Sequence, residues 1–166
     1  MILTLKERLK EHIKMHSLQI EIANQYPQLK SPEARTNGII HSIQNSNFKL
    51  HEGILSIVFV DESTICKIHE QFLGDPSSTD VITFPKDSSQ NFAGEIVISV
   101  DQAKKNAREF ETSLNDELTL YLIHGCLHLF GLNDKTEAER YDMRKAESEL
   151  IQLINNTTSS PPFQLD

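Results

Sequence analysis

Two histidines four residues apart, His124 and His128, open the stretch His124-Gly125-Cys126-Leu127-His128-Leu129-Phe130-Gly131-Leu132-Asn133-Asp134. Successive helical residues advance by about 100°, so positions four apart differ by only about 40°. Both imidazoles therefore leave one face of a helix together. Two imidazoles and a carboxylate suit a divalent metal. Gly131 is the natural helix stop, because it enters the left-handed region without a Cβ penalty. The chain can turn back there and bring Asp134 to the open side of the same ion. Three protein ligands leave a fourth position for water, the layout of a catalytic rather than a structural zinc. The plain alternative is a histidine pair with no ligand role, since H-x-x-x-H alone is a common pattern. Two imidazoles on an apolar helix nevertheless need partners if they are buried, and one metal serves both.

The other candidates read differently. Cys126 lies about 200° round the helix from His124 and reads as a small buried hydrophobe. Cys66, on a different predicted helix, reads the same way. His12 and His16 are four apart, but their amphipathic segment offers no third ligand. His41, His51 and His69 lack such an arrangement. The spacing H-x-x-x-H-x-x-G-x-x-D also resembles metallopeptidases with an extended zinc motif. Those place a Glu directly after the first His as general base; Gly125 stands there instead.

The motif needs a helix to carry it and a sheet to pack that helix on. Ser113 opens the carrying helix, which is apolar almost all round from Leu118 to Phe130 and so reads as the buried central helix. Upstream, Leu18 to Ala23 alternates apolar and polar, as a half-buried strand does. Ser31-Pro32-Glu33 reads as a helix start with Ser31 as N-cap, and that helix runs to about Asn45. Gly53 to Asp61 is almost continuously apolar, as a central strand is. Asp61 or Ser63 caps the next helix, which ends near Leu73 at Gly74 and Pro76. Thr79 to Pro85 and Gly94 to Val100 read as strands. From Asp101 a solvated helix follows, with Ala103, Ala107 and Phe110 inward. The last helix spans Lys135 to Asn155, with Tyr141, Ala146, Leu150 and Leu153 among its inward residues. Four strands interleaved with about five helices predict an α+β fold: one mixed sheet with helices packed on it.

At 166 residues the chain reads as one domain: an N-terminal helical extension over residues 1–16, a core domain over 17–155, and a disordered tail over 156–166, whose Ser-Ser-Pro-Pro run favours disorder. A formal net charge of −8 argues against a generic nucleic-acid coat, while leaving room for a local basic groove. Two cysteines are too few for a disulfide framework, so a reduced cytosol is the simpler reading. The start MILTLKERLK lacks a long apolar core, so no signal peptide is expected. No run of about 18 apolar residues suggests a membrane span.

With these residues in view, the chain resembles the YbeY family of bacterial metal-dependent endoribonucleases, the rRNA maturation factors. The family signature is close to H-G-x-L-H-L-x-G-[YF]-D-H, and His124, Gly125, Leu127, His128, Leu129 and Gly131 match it in register. A second block, near G-x-x-x-P-T-[DN]-V-L-S-F-P, corresponds to Gly74 and Thr79-Asp80-Val81-Ile82-Thr83-Phe84-Pro85. A third, G-[DE]-I-x-I-[SC], corresponds to Gly94-Glu95-Ile96-Val97-Ile98-Ser99. Met143 also falls where the family tends to have methionine. The resemblance covers roughly residues 17–150. It implies a fold related to zinc metallopeptidases, one zinc ion, and cleavage of single-stranded RNA. It further implies maturation of small-subunit ribosomal RNA, especially its 3′ end, and ribosome quality control. The partners implied are the small ribosomal subunit, one of its proteins and a ribosome-assembly GTPase, all in the cytoplasm.

The chain departs from that pattern twice. The family's third ligand is a histidine; here it is Asp134, preceded by Asn133. Aspartate is a legitimate zinc ligand, and it lowers the charge of the loaded site from about +2 to about +1, making a bound water less acidic and oxygen-preferring metals better tolerated. The family's Tyr-Arg-Gly reads Phe72-Leu73-Gly74, so Leu73 replaces the arginine that the resemblance assigns to RNA cleavage. His69, one turn earlier, is a candidate partial substitute, against an ordinary surface or capping role. The hydroxyls of Ser77, Ser78 and Thr79 are candidate substrate contacts, against a role as turn formers. Two rivals to the nuclease reading follow: a ribosome-binding assembly factor with weakened nuclease activity, and a metallopeptidase lacking its usual base.

Overall fold

The computed structural model describes Thr4 and residues 17–86 and 91–166. The predicted helix over residues 1–16 lies outside those residues but for Thr4. Four strands form one sheet: β1 (Leu18–Asn24), β2 (Gly53–Val60), β3 (Val81–Pro85) and β4 (Phe92–Ser99), in the order β1-β2-β4-β3. β1 is parallel to β2 and β2 to β4, while β3 runs antiparallel to β4. The described helices are α1 (Glu33–Gln44), α2 (Glu62–Leu73), α3 (Val100–Glu109), α4 (Leu114–Phe130) and α5 (Glu137–Thr157). This is the mixed α+β architecture expected from the sequence.

Side chains alternate across a strand, and that alternation divides the core. Leu55, Ile57 and Phe59 of β2, with Ile96 and Ile98 of β4, join the large cluster that includes Leu118, Leu122 and Leu127 of α4 and Leu150 and Ile154 of α5. Val60, Val97 and Ile82 point to the other face and meet Ile65 of α2. The central strands are thus apolar on both faces, which is why β2 reads as a nearly continuous hydrophobic run.

Glycine lets α4 lie close to the sheet. A Cβ at Gly125 would come within 2.7 Å of Ile96 Cγ2 and 3.4 Å of Thr83 Cγ2. At Gly94, where φ is +146°, a Cβ would meet Leu129 Cδ1 at 2.7 Å. The three sequence blocks that carry the family resemblance therefore meet in space: the motif helix rests on β3 and β4 through these two glycines.

Several elements differ from expectation for local reasons. Ser31 does not cap α1: its φ is +24° and the N-cap is Pro32, with no side-chain cap. Asp61 does cap α2, accepting from the Thr64 N–H at 2.8 Å. β3 starts at Val81 rather than Thr79, because the Asp80 side chain already accepts the Val81 N–H at 2.9 Å. α3 begins at Val100 with Ser99 as its cap, so the preceding strand ends one residue early. Phe110 and Tyr141, expected inward, are 61% and 65% exposed; Phe110 lies just past the end of α3 as its C-cap, and Tyr141 is about 200° round α5 from buried Met143. The tail, read from composition as disordered, instead folds back over the domain. Phe163 is buried against Phe59, with ring centroids 5.7 Å apart, and Leu165 bridges to Leu29. An aromatic residue after Pro-Pro anchors the segment where composition alone favours disorder.

Candidate metal centre

α4 delivers the two histidines. Ser113 caps it through a reciprocal capping box with Asp116, and Gly131 ends it in the left-handed region at φ +116°. The Gly131 N–H donates to the Leu127 and His128 carbonyls at 3.1 and 3.0 Å, and the Leu132 N–H to Leu127 at 3.0 Å. These bonds close the helix end and reverse the chain. On the far side of the turn, Thr136 caps α5. Arg140 Nη1 donates to the carbonyls of Asp134 (3.2 Å) and Lys135 (2.8 Å). Asp134 is thus held between two helix ends, the first closed by backbone hydrogen bonds at Gly131 and the second by the Thr136 cap and the Arg140 side chain.

The resulting cluster is tight. His124 Nε2 and His128 Nε2 are 2.9 Å apart, and Asp134 Oδ2 lies 3.6 Å from the first and 3.7 Å from the second. The rings stand almost perpendicular, at 89°. Zinc bonds of about 2.0–2.2 Å in tetrahedral geometry put ligand atoms about 3.3–3.5 Å apart, and the three observed edges bracket that value.

The tautomers decide what the cluster can hold. His124 Nδ1 is 2.6 Å from Glu147 Oε1. A carboxylate can only accept, so Nδ1 carries the proton. His128 Nδ1 donates to the Leu132 carbonyl at 3.0 Å for the same reason. When both rings are neutral, each Nε2 lone pair is directed at the other, with a carboxylate oxygen beside them. Two facing lone pairs repel unless a proton on one Nε2 or a metal ion lies between them. His124, His128 and Asp134 together could hold one metal ion, and their donor chemistry fits that role. The outer partners are of the kind that orient metal-bound histidines.

Burial pulls the His124 imidazole down, but the hydrogen bond and charge of Glu147, helped by Asp80 and Asp134, outweigh it. The net displacement is upward from the ordinary histidine value. Cys126 faces the core and is buried, which pushes its thiol far up. It is no ligand, as its helix phase predicts. Cys66 is a free thiol away from the cluster.

The centre opens into a cleft of about 270 Å³ lined by His69, Leu73, residues 79–83, and the three candidate ligands. Leu73 therefore does face the site, and so does His69, whose Nδ1 contacts the Ser77 carbonyl at 2.9 Å. That contact ties His69 to the 74–78 loop, a structural role of a different kind from the surface or capping one expected. Of the three loop hydroxyls, Thr79 lines the cleft. Ser77 and Ser78 are not among the lining residues; the Ser77 backbone N–H donates to Asp75 Oδ1 at 2.8 Å, and the Ser78 hydroxyl reaches Gln102 at 3.5 Å. Sequence reading missed Glu147, Asp80 and Arg140. Glu147 had a signal: it interrupts the stripe Met143, Leu150, Ile154 on the buried face of α5, where an ionisable residue needs a reason.

A mixed sheet, a buried helix carrying two facing histidines and a carboxylate from the following turn define the class: an α+β protein with a metal-hydrolase type of centre. Residues 19–155 match the family model described as Endoribonuclease YbeY, and the chain belongs to that family, whose members are hydrolases. A relative named Endoribonuclease YbeY from Porphyromonas gingivalis is 37% identical over 108 residues, covering 65% of this chain and 72% of its own. The one from Christiangramia forsetii is 36% identical over 119 residues, covering 72% and 82%. The one from Bacteroides thetaiotaomicron is 31% identical over 127 residues, covering 75% and 93%. The fold is also shared with a Thermotoga maritima protein known from a solution structure, with a TM-score of 0.60 at 24% identity, covering 83% of this chain and 90% of that one.

Proposed function

We propose that this protein is a metal-dependent endoribonuclease that cleaves single-stranded RNA, with zinc as its resident ion. Its role is maturation of the small-subunit ribosomal RNA 3′ end and ribosome quality control. Its partners are the small ribosomal subunit, one of its proteins and a ribosome-assembly GTPase, and its place is the cytoplasm. The observation that carries this reading is the pair of Nε2 atoms 2.9 Å apart with Asp134 beside them, in a chain of the endoribonuclease YbeY family.

A bound divalent ion supplies Lewis-acid stabilisation of a phosphodiester's developing charge and an acidified water. The chain's own residues do the rest. Glu147 and the Leu132 carbonyl hold both imidazoles in the Nδ1-protonated form. Asp134 removes one unit of positive charge from the centre. Thr79 and Thr83 line the cleft wall, with the Thr79 hydroxyl donating to Asp80 Oδ1 at 3.2 Å. Gly125 closes the peptidase route, because the position where that chemistry needs a Glu packs against Ile96.

Leu73 in the cleft wall favours a second reading, in which the protein binds small subunits but cleaves slowly. A single-stranded ribosomal RNA fragment incubated with metal-loaded protein, with and without chelator, separates the two. Chelator-sensitive cleavage supports the enzyme reading. Intact RNA beside stable small-subunit binding supports the assembly factor.

A further inference from the structure

The cleft beside the metal centre has an unusual lining for a nucleic-acid enzyme. None of the described residues that line it is Lys or Arg, and the chain as a whole carries a net charge of −8. Phosphate attraction is the ordinary source of affinity for RNA, and this wall does not supply it. What the rim supplies instead is apolar surface. Leu73 lines the cleft and is 64% exposed. Next to it, Phe72 is 59% exposed at the end of α2. The Phe72 ring is braced edge-on by Phe84 of β3, with centroids 5.1 Å apart and planes at 72°. Phe84 itself packs on the cluster of Val60, Ile65, Ile82 and Val97 beneath α2, and Ile82 of that cluster also lines the cleft.

We propose that Phe72, braced by Phe84 and flanked by Leu73, is a stacking platform for an unpaired base of the RNA substrate. This rests on the endoribonuclease reading and names how that site takes its substrate. An aromatic ring fixed by a second ring presents its surface with little loss of side-chain freedom on binding. Every base has a π face, so stacking is tolerant of sequence. It also selects against duplex, whose bases are already stacked on one another. An apolar patch that begins at Leu73 in the cleft wall, in an acidic chain, suits a base better than a phosphate. The platform thus offsets the charge that is missing where Leu73 stands.

The test uses the full chain and a short single-stranded RNA carrying 2-aminopurine, whose fluorescence falls on stacking. Chelator prevents cleavage during the titration. The wild type quenches the probe, and Phe72→Ala weakens binding roughly tenfold. Phe72→Leu, which keeps apolar packing on Phe84, shows the same loss, and Phe72→Trp restores quenching. With metal present, the loss in Phe72→Ala falls on KM rather than kcat. Circular dichroism and melting temperature show that each variant is folded. Equal quenching by wild type and Phe72→Ala overturns the platform, and so does full binding by Phe72→Leu. Self-association of the wild type that Phe72→Ala abolishes overturns it too, assigning the patch to a second copy. A wild type that cleaves RNA while Phe72 variants keep its KM refutes the platform alone. A wild type that neither binds nor cleaves RNA refutes the endoribonuclease reading as well.

Discussion

Glu147 Oε1 lies 2.6 Å from His124 Nδ1, joining the middle of α5 to the motif helix and fixing which nitrogen of His124 is offered to a metal. Removing the carboxylate frees the ring to rotate and lowers its basicity. Glu147→Ala is expected to weaken metal affinity roughly 10- to 100-fold, with Glu147→Gln, which keeps an acceptor, losing less. Competition titration against a chromophoric chelator reads both. Equal affinities in all three proteins would remove Glu147 from the site.

Protons and metal compete for the same nitrogens. The His124 pKa is displaced upward: burial opposes the charged ring, but Glu147 more than compensates. In the metal-free protein a raised folded-state pKa stabilises the fold below the unfolded histidine value, and that contribution fades as pH rises through the folded value. Metal requires the neutral ring, so its stabilisation runs the opposite way. The rise in melting temperature on adding metal should therefore grow with pH and keep growing above the ordinary histidine range. A metal-induced shift that is flat across that window would contradict the assignment.

Gly125 lets α4 approach β4. A methyl group there would meet Ile96 Cγ2 at 2.7 Å, and Ile96 is branched at Cβ and fully buried, so that methyl cannot swing away freely. Gly125→Ala should destabilise the fold by about 1–3 kcal/mol, read by denaturant unfolding. The penalty should shrink in an Ile96→Ala background, because the two side chains share one space. An additive double mutant would show that the helix shifts freely.

The tail has a packing role. Phe163 is 3% exposed and meets Phe59 of the central strand. Phe163→Ala should cost about 3 kcal/mol, visible as a lower melting temperature with metal affinity retained. An unchanged melting temperature would return the tail to the disordered class.

What the sequence made legible was local. Helical phase alone placed His124 and His128 together and sent Cys126 to the core. Gly131 marked the turn that returns Asp134. The apolar run of Gly53–Val60 announced a strand covered on both faces. What stayed hidden depends on distant segments. Glu147 reaches His124 only because α5 packs on α4, and no spacing rule connects residues on separate helices. Phe163 finds Phe59 through a chain reversal that its Pro-Pro neighbourhood does not encode. Phe110 is exposed because α3 ends one residue before it, and Tyr141 because its phase turns it away from the Met143–Leu150 stripe of α5. Leu73 was visible as a departure from the family pattern, but only the geometry placed it in the cleft wall beside the centre.

In the proposed function, His124, His128 and Asp134 hold the ion on which cleavage of RNA depends. The most direct test pairs metal analysis of the purified full chain and His128→Ala with cleavage of a single-stranded ribosomal RNA fragment. The expected result is one divalent ion per wild-type chain, cleavage that chelator abolishes and metal restores, and neither ion nor cleavage in His128→Ala. Cleavage by metal-free protein at the wild-type rate, with contaminating nuclease excluded, would contradict it.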